Sequence, residues 1–405
     1  MVTVMDADIR VLAARVRRGV ALERRSMLKA SLVGGLGIGG LGVVGSGLVG
    51  CSRESGTATQ AQSQASTDVV FSNWPMYMDV PESGSPSTLD LFTQRTGISV
   101  QYQEDINDGQ TFYAKVRDQL ESGRGIDRDI VVFSEETAQL FVELGFAQPL
   151  DYSRIPNAVN LLPRLREASF DPNRTYTLPW QSGFTGFGFN VALLQERMGV
   201  AELTTFEQFF DERLRGRISV LSETMDTMGP LLAWQGFDPA NFTDAQFEQT
   251  LDVLAGFVER GYIRQVTGND YIAGLESGDL IAAIGWSGDV LALGDEWGFA
   301  LPDSGGIVWA DSMLIPDGAP NKVGAEALMN HYYDPKIAAQ VAAWIQYVCP
   351  VAGAQEAMGE IDPSLVDDPW IFPPTEVLDS CYVTAALSLD RALLLDRQFD
   401  RVMGL

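Results

Sequence analysis

Histidine is almost missing from this chain: His331 stands alone among 405 residues. Serine or cysteine nucleophiles that need an imidazole base therefore have one candidate partner at most. That residue lies in Ala327-Leu328-Met329-Asn330-His331-Tyr332-Tyr333, at the end of an expected helix, where a surface or capping role is the expectation. Cysteine is nearly as scarce, with Cys51, Cys349 and Cys381 only, and no CxxC, HExxH or similar metal spacing occurs. No glycine-rich phosphate loop runs from a strand into a helix, and the glycines near Gly34 fall in a segment read below as an export signal. No metal, no nucleotide and no other cofactor is expected, and the composition argues against most enzymes. Lysine is confined to Lys29, Lys115, Lys322 and Lys336, arginine supplying the other basic groups.

What the chain has in quantity is acid. The formal net charge is -26. Residues 1–50 carry seven basic and three acidic side chains, a balance of +4, which leaves -30 for the remainder. Phosphate binding needs basic patches, so nucleic acid is not an expected partner. A strong negative field steers cations instead, although solubility or adaptation to salt would produce the same charge. Hydrophobic residues at 46% and charged residues at 20% are ordinary for a globular chain, and the length suits two lobes.

Targeting comes first along the chain. Glu23-Arg24-Arg25-Ser26-Met27-Leu28-Lys29 precedes an uncharged, glycine-rich apolar run from Ala30 to Val49. Its length nearly permits a membrane-spanning helix. A basic region, an apolar region and a small residue before a cysteine fit an export signal better, and the twin arginines suggest the Tat route for folded proteins. Leu48-Val49-Gly50-Cys51 looks like a bacterial lipobox, which implies cleavage before Cys51 and a lipid on its thiol. Residues 1–50 are thus read as a signal peptide and 51–67 as a lipid-anchored flexible tether. Ser52 to Thr67 is rich in Ser, Thr, Gln, Gly and Ala, and a coil of that length spans roughly 20–25 Å. The mature protein is expected outside the cytoplasm, anchored to the cell membrane. Oxidising conditions there leave a Cys349–Cys381 disulfide open.

The body alternates strand and helix signals. Val69-Val70-Phe71, Ile98 to Tyr102, Asp129 to Ser134 and Ile281 to Trp286 read as strands, the third apolar throughout as for a strand buried on both faces. Phe112, Val116 and Leu120 share one helix face, and Glu135 to Leu144 forms a helix stopped by Gly145. Thr205 with Gln208 and Thr243 with Gln246 have the spacing of capping boxes. Later helices are expected from Lys322 to Tyr332 and from Pro335 to Tyr347. The pattern implies an α/β fold with a mostly parallel sheet. Ligands in such sheets bind beyond the carboxyl ends of strands, where Trp74, Ser134, Glu223, Trp286 and Trp309 fall.

Gly305-Gly306-Ile307-Val308-Trp309-Ala310-Asp311-Ser312-Met313-Leu314-Ile315-Pro316 sets a π-face beside a carboxylate, because alternate strand residues share a side. An anion among apolar residues is costly for stability alone, so a site for a ligand cation is one reading. An edge strand, with Trp309 in the core and Asp311 capping a turn, is the other.

With these residues assembled, the chain from about Val69 to Val402 resembles the spermidine/putrescine-binding proteins of bacterial ABC importers. The matching motifs are Asn73-Trp74-Pro75-Met76-Tyr77, Ser134 at a strand end, Glu223 with Asp226, Trp286 after a late strand, and Gly305 to Ser312. Tyr347 also aligns, although Cys349-Pro350-Val351 departs from what usually follows. Two positions differ: Met76 stands where an acid often precedes the tyrosine, and Glu136 where an aromatic is frequent.

The resemblance implies a two-lobed periplasmic-binding-protein fold with a hinge and an interlobe ligand cleft. Lobe one would combine residues 68–178 with 310–351, and lobe two 179–309 with 352–405. It further implies a monomeric polyamine carrier that serves the permease of an ABC transporter and performs no chemistry. Trp74, Tyr77, Trp286 and Trp309 would wall the methylene chain. Asp311 would anchor one ammonium, Glu223 and Asp226 another, with Ser134 and Tyr347 completing the hydrogen bonds. Other classes stay open from the residues alone. A sugar or iron carrier is one, Tyr332-Tyr333 being the adjacent tyrosines an iron site favours. A hydrolase using Glu223 and Asp226 is another.

Overall fold

The computed structural model describes residues 68–81, 85–385 and 387–405. The expected signal peptide, tether and lipidation at Cys51 lie outside the described residues. The first half runs β1 (Asp68–Asn73), α1 (Thr88–Thr96), β2 (Ser99–Glu104), α2 (Gly109–Glu121), β3 (Ile130–Ser134) and α3 (Glu135–Glu143). Phe112, Val116 and Leu120 are buried along one face of α2. Ile130 to Phe133 are buried too, as a strand covered on both faces requires.

The second half begins with β4 (Thr177–Asn190), α4 (Val191–Met198), α5 (Phe206–Phe209), β5 (Ile218–Leu221), α6 (Thr224–Trp234) and α7 (Asp244–Glu259). It continues with β6 (Ile263–Thr267), α8 (Tyr271–Ser277), β7 (Ala282–Trp286), α9 (Ser287–Ala292) and β8 (Trp297–Ala300). Both expected capping boxes form, at the starts of α5 and α7. The chain returns through β9 (Gly306–Leu314), α10 (Lys322–Tyr332), α11 (Pro335–Ile345) and α12 (Ala354–Ile361). It closes with α13 (Thr375–Asp379), β10 (Cys381–Tyr382) and α14 (Leu389–Met403).

These strands form one sheet in the order β2-β1-β3-β9-β4-β7-β5-β6, with β10 added beside β9 and β8 beside β4. The pairs β1–β2, β1–β3, β5–β6 and β5–β7 are parallel, as the alternation of strand and helix predicts, while β8 runs antiparallel to β4. The joins β3–β9, β9–β4 and β4–β7 are antiparallel, so the sheet is mixed rather than mostly parallel. The difference comes from two shared strands. β9 pairs with β3 through Asp311 to Leu314, and β4 pairs with β7 through Thr185 to Phe189. Between those stretches the two strands run against each other from Thr177 to Thr185 of β4. They cross from one half to the other, which gives the two-lobed α/β architecture its hinge-side spine. β9 is central, so the edge-strand reading of Gly305 to Pro316 does not hold.

A bulge between Pro179 and Gln181 turns β4 at this crossing. The hydroxyl of Tyr333 donates to the Pro179 carbonyl at 2.6 Å, and that of Tyr332 donates to the Trp180 carbonyl. The adjacent tyrosines therefore serve the backbone rather than an iron. His331 is buried, with its ring against Phe92 and Nε2 3.2 Å from the Thr88 carbonyl, because its face of α10 packs on α1. It has neither the surface nor the capping role expected of it. Cys349 and Cys381 are both free thiols.

The C-terminal segment touches both halves. α12 packs on α11, while α14 lies across α3, α6 and α7. Arg391 of α14 bonds Asp244 at 2.7 Å, and Gln139 of α3 donates to the Leu387 carbonyl at 2.8 Å.

Candidate functional site

Where the two halves meet, a cavity of about 640 Å³ opens beyond the strand ends. Small-molecule sites run to about 300–1,000 Å³, so its size suits one small ligand. All nine side chains singled out from the sequence line it: Trp74, Tyr77, Ser134, Glu223, Asp226, Trp286, Trp309, Asp311 and Tyr347. They arrive from separate elements. Trp74 and Tyr77 follow β1, Ser134 ends β3, Glu223 and Asp226 start α6, and Trp286 ends β7. Trp309 and Asp311 share a face of β9. Tyr347 follows α11, whose end is turned by Gln346 at φ 58°.

The aromatic groups form two contacting sets. Tyr77 meets Tyr347 edge-on with ring centroids 5.0 Å apart, Trp309 lies 5.6 Å from Tyr347, and Trp74 lies 5.8 Å from Trp286. Close backbone permits this packing. A Cβ at Gly183 of β4 would stand 2.5 Å from the Trp309 ring, and one at Gly288 of α9 2.3 Å from Tyr347.

Carboxylates punctuate the wall, each held by neutral donors. Tyr77 donates to Asp311 Oδ2 at 2.8 Å. Trp286 Nε1 donates to Asp226 Oδ2 at 3.1 Å, and the Thr185 hydroxyl donates to its Oδ1. The Gly109 amide donates to Glu223 Oε1 at 3.0 Å, and Ser222 donates to Asp108 at 2.7 Å; these two bonds join the halves. A further carboxylate, Asp289, escaped the sequence reading. It takes hydrogen bonds from Tyr347 at 2.7 Å, Asn269 at 2.8 Å and Tyr271 at 3.2 Å. Its partners come from two other segments, Asn269 with Tyr271 at the start of α8 and Tyr347 after α11, and its position three residues after Trp286 was the one available signal.

Neutral donors do not compensate a buried anion. Burial therefore pushes Asp311 up to about 8, and Asp226 and Asp289 each up to about 6, despite the hydrogen bonds that favour their ionised forms. Burial, then the neighbouring Asp108 and Glu136, raises Glu223 well above the usual carboxylate range. Eight carboxylates line the cavity against two guanidinium groups, and Arg174 is already paired with Glu135 at 2.9 Å. The Nε1 atoms of Trp74 and Trp309 and the Ser134 hydroxyl are buried without a hydrogen-bond partner. A solute bearing positive nitrogens along an apolar chain matches this lining: carboxylates for the charge, rings for the chain. Among the described residues, no group of three or more His, Cys, Asp or Glu side chains is arranged to hold a metal ion.

Comparison with known proteins agrees with this geometry. The family model for bacterial extracellular solute-binding proteins matches residues 88–373. The spermidine/putrescine-binding periplasmic protein of Escherichia coli is 26% identical over 323 residues, covering 78% of this chain and 86% of its own. A putrescine-binding periplasmic protein of the same organism is 28% identical over 324 residues, covering 75% and 83%. Among solved structures, a putative spermidine/putrescine ABC transporter protein from Listeria monocytogenes aligns with a TM-score of 0.70 at 25% identity. That alignment covers 83% of this chain and 99% of the other.

Proposed function

The chain belongs to the bacterial extracellular solute-binding proteins, and from that membership we propose that it captures a polyamine and delivers it to an ABC permease. It is a carrier rather than an enzyme, so Glu223 and Asp226 are not a hydrolytic pair. The observation that carries the polyamine reading is the set of buried carboxylates with only neutral donors inside an aromatic-walled cavity. A polyamine ammonium beside Asp311, Asp226 or Asp289 supplies the missing positive charge, each charged hydrogen bond contributing about 1.5–3 kcal/mol. Trp74, Tyr77, Trp286 and Trp309 cover the methylenes and add cation–π contacts of about 0.5–2 kcal/mol. Ser134 accepts from, and Tyr347 orients Asp289 toward, the ligand nitrogens. The relatives named for spermidine and putrescine support the same class.

The two lobes would divide as residues 68–178 with 310–351 and 179–309 with 352–405, the C-terminal segment bridging them. Ligand would close them about β4 and β9, and the closed form would dock on the permease. Export by the Tat route, a lipid on Cys51 and a monomeric state complete the reading. No described helix is long and apolar enough to cross a membrane. Cys51→Ser should move the protein from the membrane to the soluble fraction; retention on the membrane would dispose of the lipid anchor. A thermal-shift panel of polyamines, sugars and ferric citrate tests the ligand class. Polyamines alone should raise Tm, and a shift by a sugar or ferric citrate instead would overturn the assignment.

A further inference from the structure

Loops from opposite ends of the sheet touch across the cleft. β2 and β6 are the outermost strands of the order, one in each half. The turn after β2, Asn107 to Gly109, nonetheless meets Gly268 in the loop after β6 and Ser222 in the loop after β5. The Asn107 carbonyl lies directly over Gly268, where a Cβ would overlap its oxygen and stand 2.9 Å from its carbon. Gly268 does not take the left-handed conformation, so what glycine supplies there is space. Beside it, the Ser222 hydroxyl donates to Asp108 Oδ2 at 2.7 Å, while Asp108 Oδ1 caps α2 through the Thr111 amide at 2.7 Å. The Gly109 amide, an orphan donor at the start of α2, finds its acceptor across the same seam in Glu223 Oε1.

Both sides of this seam are braced. Arg128 bonds Asp105 at 2.7 Å and the Ser72 hydroxyl at 2.6 Å, and the Ile106 amide donates to the Asn73 carbonyl at 3.3 Å. In the other half, the Ser222 amide donates to the Thr267 carbonyl at 3.0 Å and ties the two loops together. Asn107, Asp108, Gly109, Ser222 and Gly268 all lie outside the cavity lining. Rotation about β4 and β9 separates the outermost loops furthest, so these contacts last only while the lobes are closed.

Resting on the polyamine-carrier reading, we infer that this seam is a latch: Asp108, Ser222 and Gly268 are positioning residues that hold the lobes shut and set how slowly bound solute leaves. They act through the closed form alone, since none of them reaches the cavity.

Stopped-flow tryptophan fluorescence with putrescine and spermidine separates entry from release in the purified protein. Gly268→Ala sets a methyl against backbone, which cannot swing aside as the tip of a side chain can, so the lobes stop short of full contact. Release should quicken about tenfold, with the association rate held within about twofold. Small-angle scattering should give the loaded variant a larger radius of gyration than the loaded unaltered protein. Ser222→Ala should quicken release several-fold, and Ser222→Thr, which keeps the hydroxyl, should leave it near the unaltered rate. Tm of the ligand-free variants should not move, because a seam made on closure adds nothing to the open form. An unchanged release rate in Gly268→Ala, or a faster one matched by a loss of ligand-free Tm, overturns the latch and leaves the polyamine reading standing. Failure of the unaltered protein to bind either amine overturns both.

Discussion

Asp311 must be an anion to hold an ammonium, yet burial pushes it up to about 8, with Asp226 and Asp289 at about 6. Their folded values lie above the unfolded one, so the ligand-free fold keeps protons that the unfolded chain has released. Stability from that source is full below about pH 4 and is lost as pH rises through about 6 and then about 8. Tm of the ligand-free protein should therefore fall across this window. Asp211, lowered to about 2 by its bonds to Arg213, acts in the opposite sense at more acid pH and does not mask the trend. A bound cation reverses the preference, so binding should release protons and polyamine affinity should rise with pH over the same range. Calorimetry in buffers of different ionisation enthalpy reads those protons directly, and a flat affinity would remove these carboxylates from the site. Asp311→Ala should weaken binding at least tenfold, above about 1.4 kcal/mol; unchanged affinity for every polyamine would sink its role.

At the scale of elements, the site depends on how closely backbone approaches ring. Gly288→Ala sets a methyl 2.3 Å from Tyr347, so the ring must shift, opening its bond to Asp289 and its contact with Tyr77. The same change favours helix formation at α9 by roughly 0.5–1 kcal/mol. Polyamine affinity should therefore drop several-fold without a matching loss of Tm. Intact binding with a raised Tm would show that Tyr347 does not shape the cavity. This coupling explains what the sequence could reveal. Strands β1, β3, β7 and β9 declare themselves through apolar runs, and the tryptophans and tyrosine at their ends were legible with them. β4 was illegible because Pro179, Gly183, Gly186 and Gly188 look like breaks, although Gly183 is there to admit Trp309. Asp289 was hidden for a related reason, since Asn269, Tyr271 and Tyr347 reach it only through the fold.

The whole molecule carries its charge in the same sense as its cavity. A net charge of -26 should speed the arrival of cations, so polyamine association should slow steeply as ionic strength rises. A salt-independent on-rate would leave the charge to solubility alone. Because β4 and β9 belong to the sheet of both halves, unfolding should be a single calorimetric transition, and two resolved transitions would contradict that shared spine. The order of synthesis gives the spine another meaning. β3 emerges by Ser134, but the strand that covers its open edge is not made until Gly306 to Leu314. The N-terminal half must wait on the ribosome with an unpaired edge while more than half of the remaining chain is translated. Completion of that half's sheet is thereby postponed until β9 has been made, and a nascent chain stopped before Gly306 has no finished N-terminal lobe.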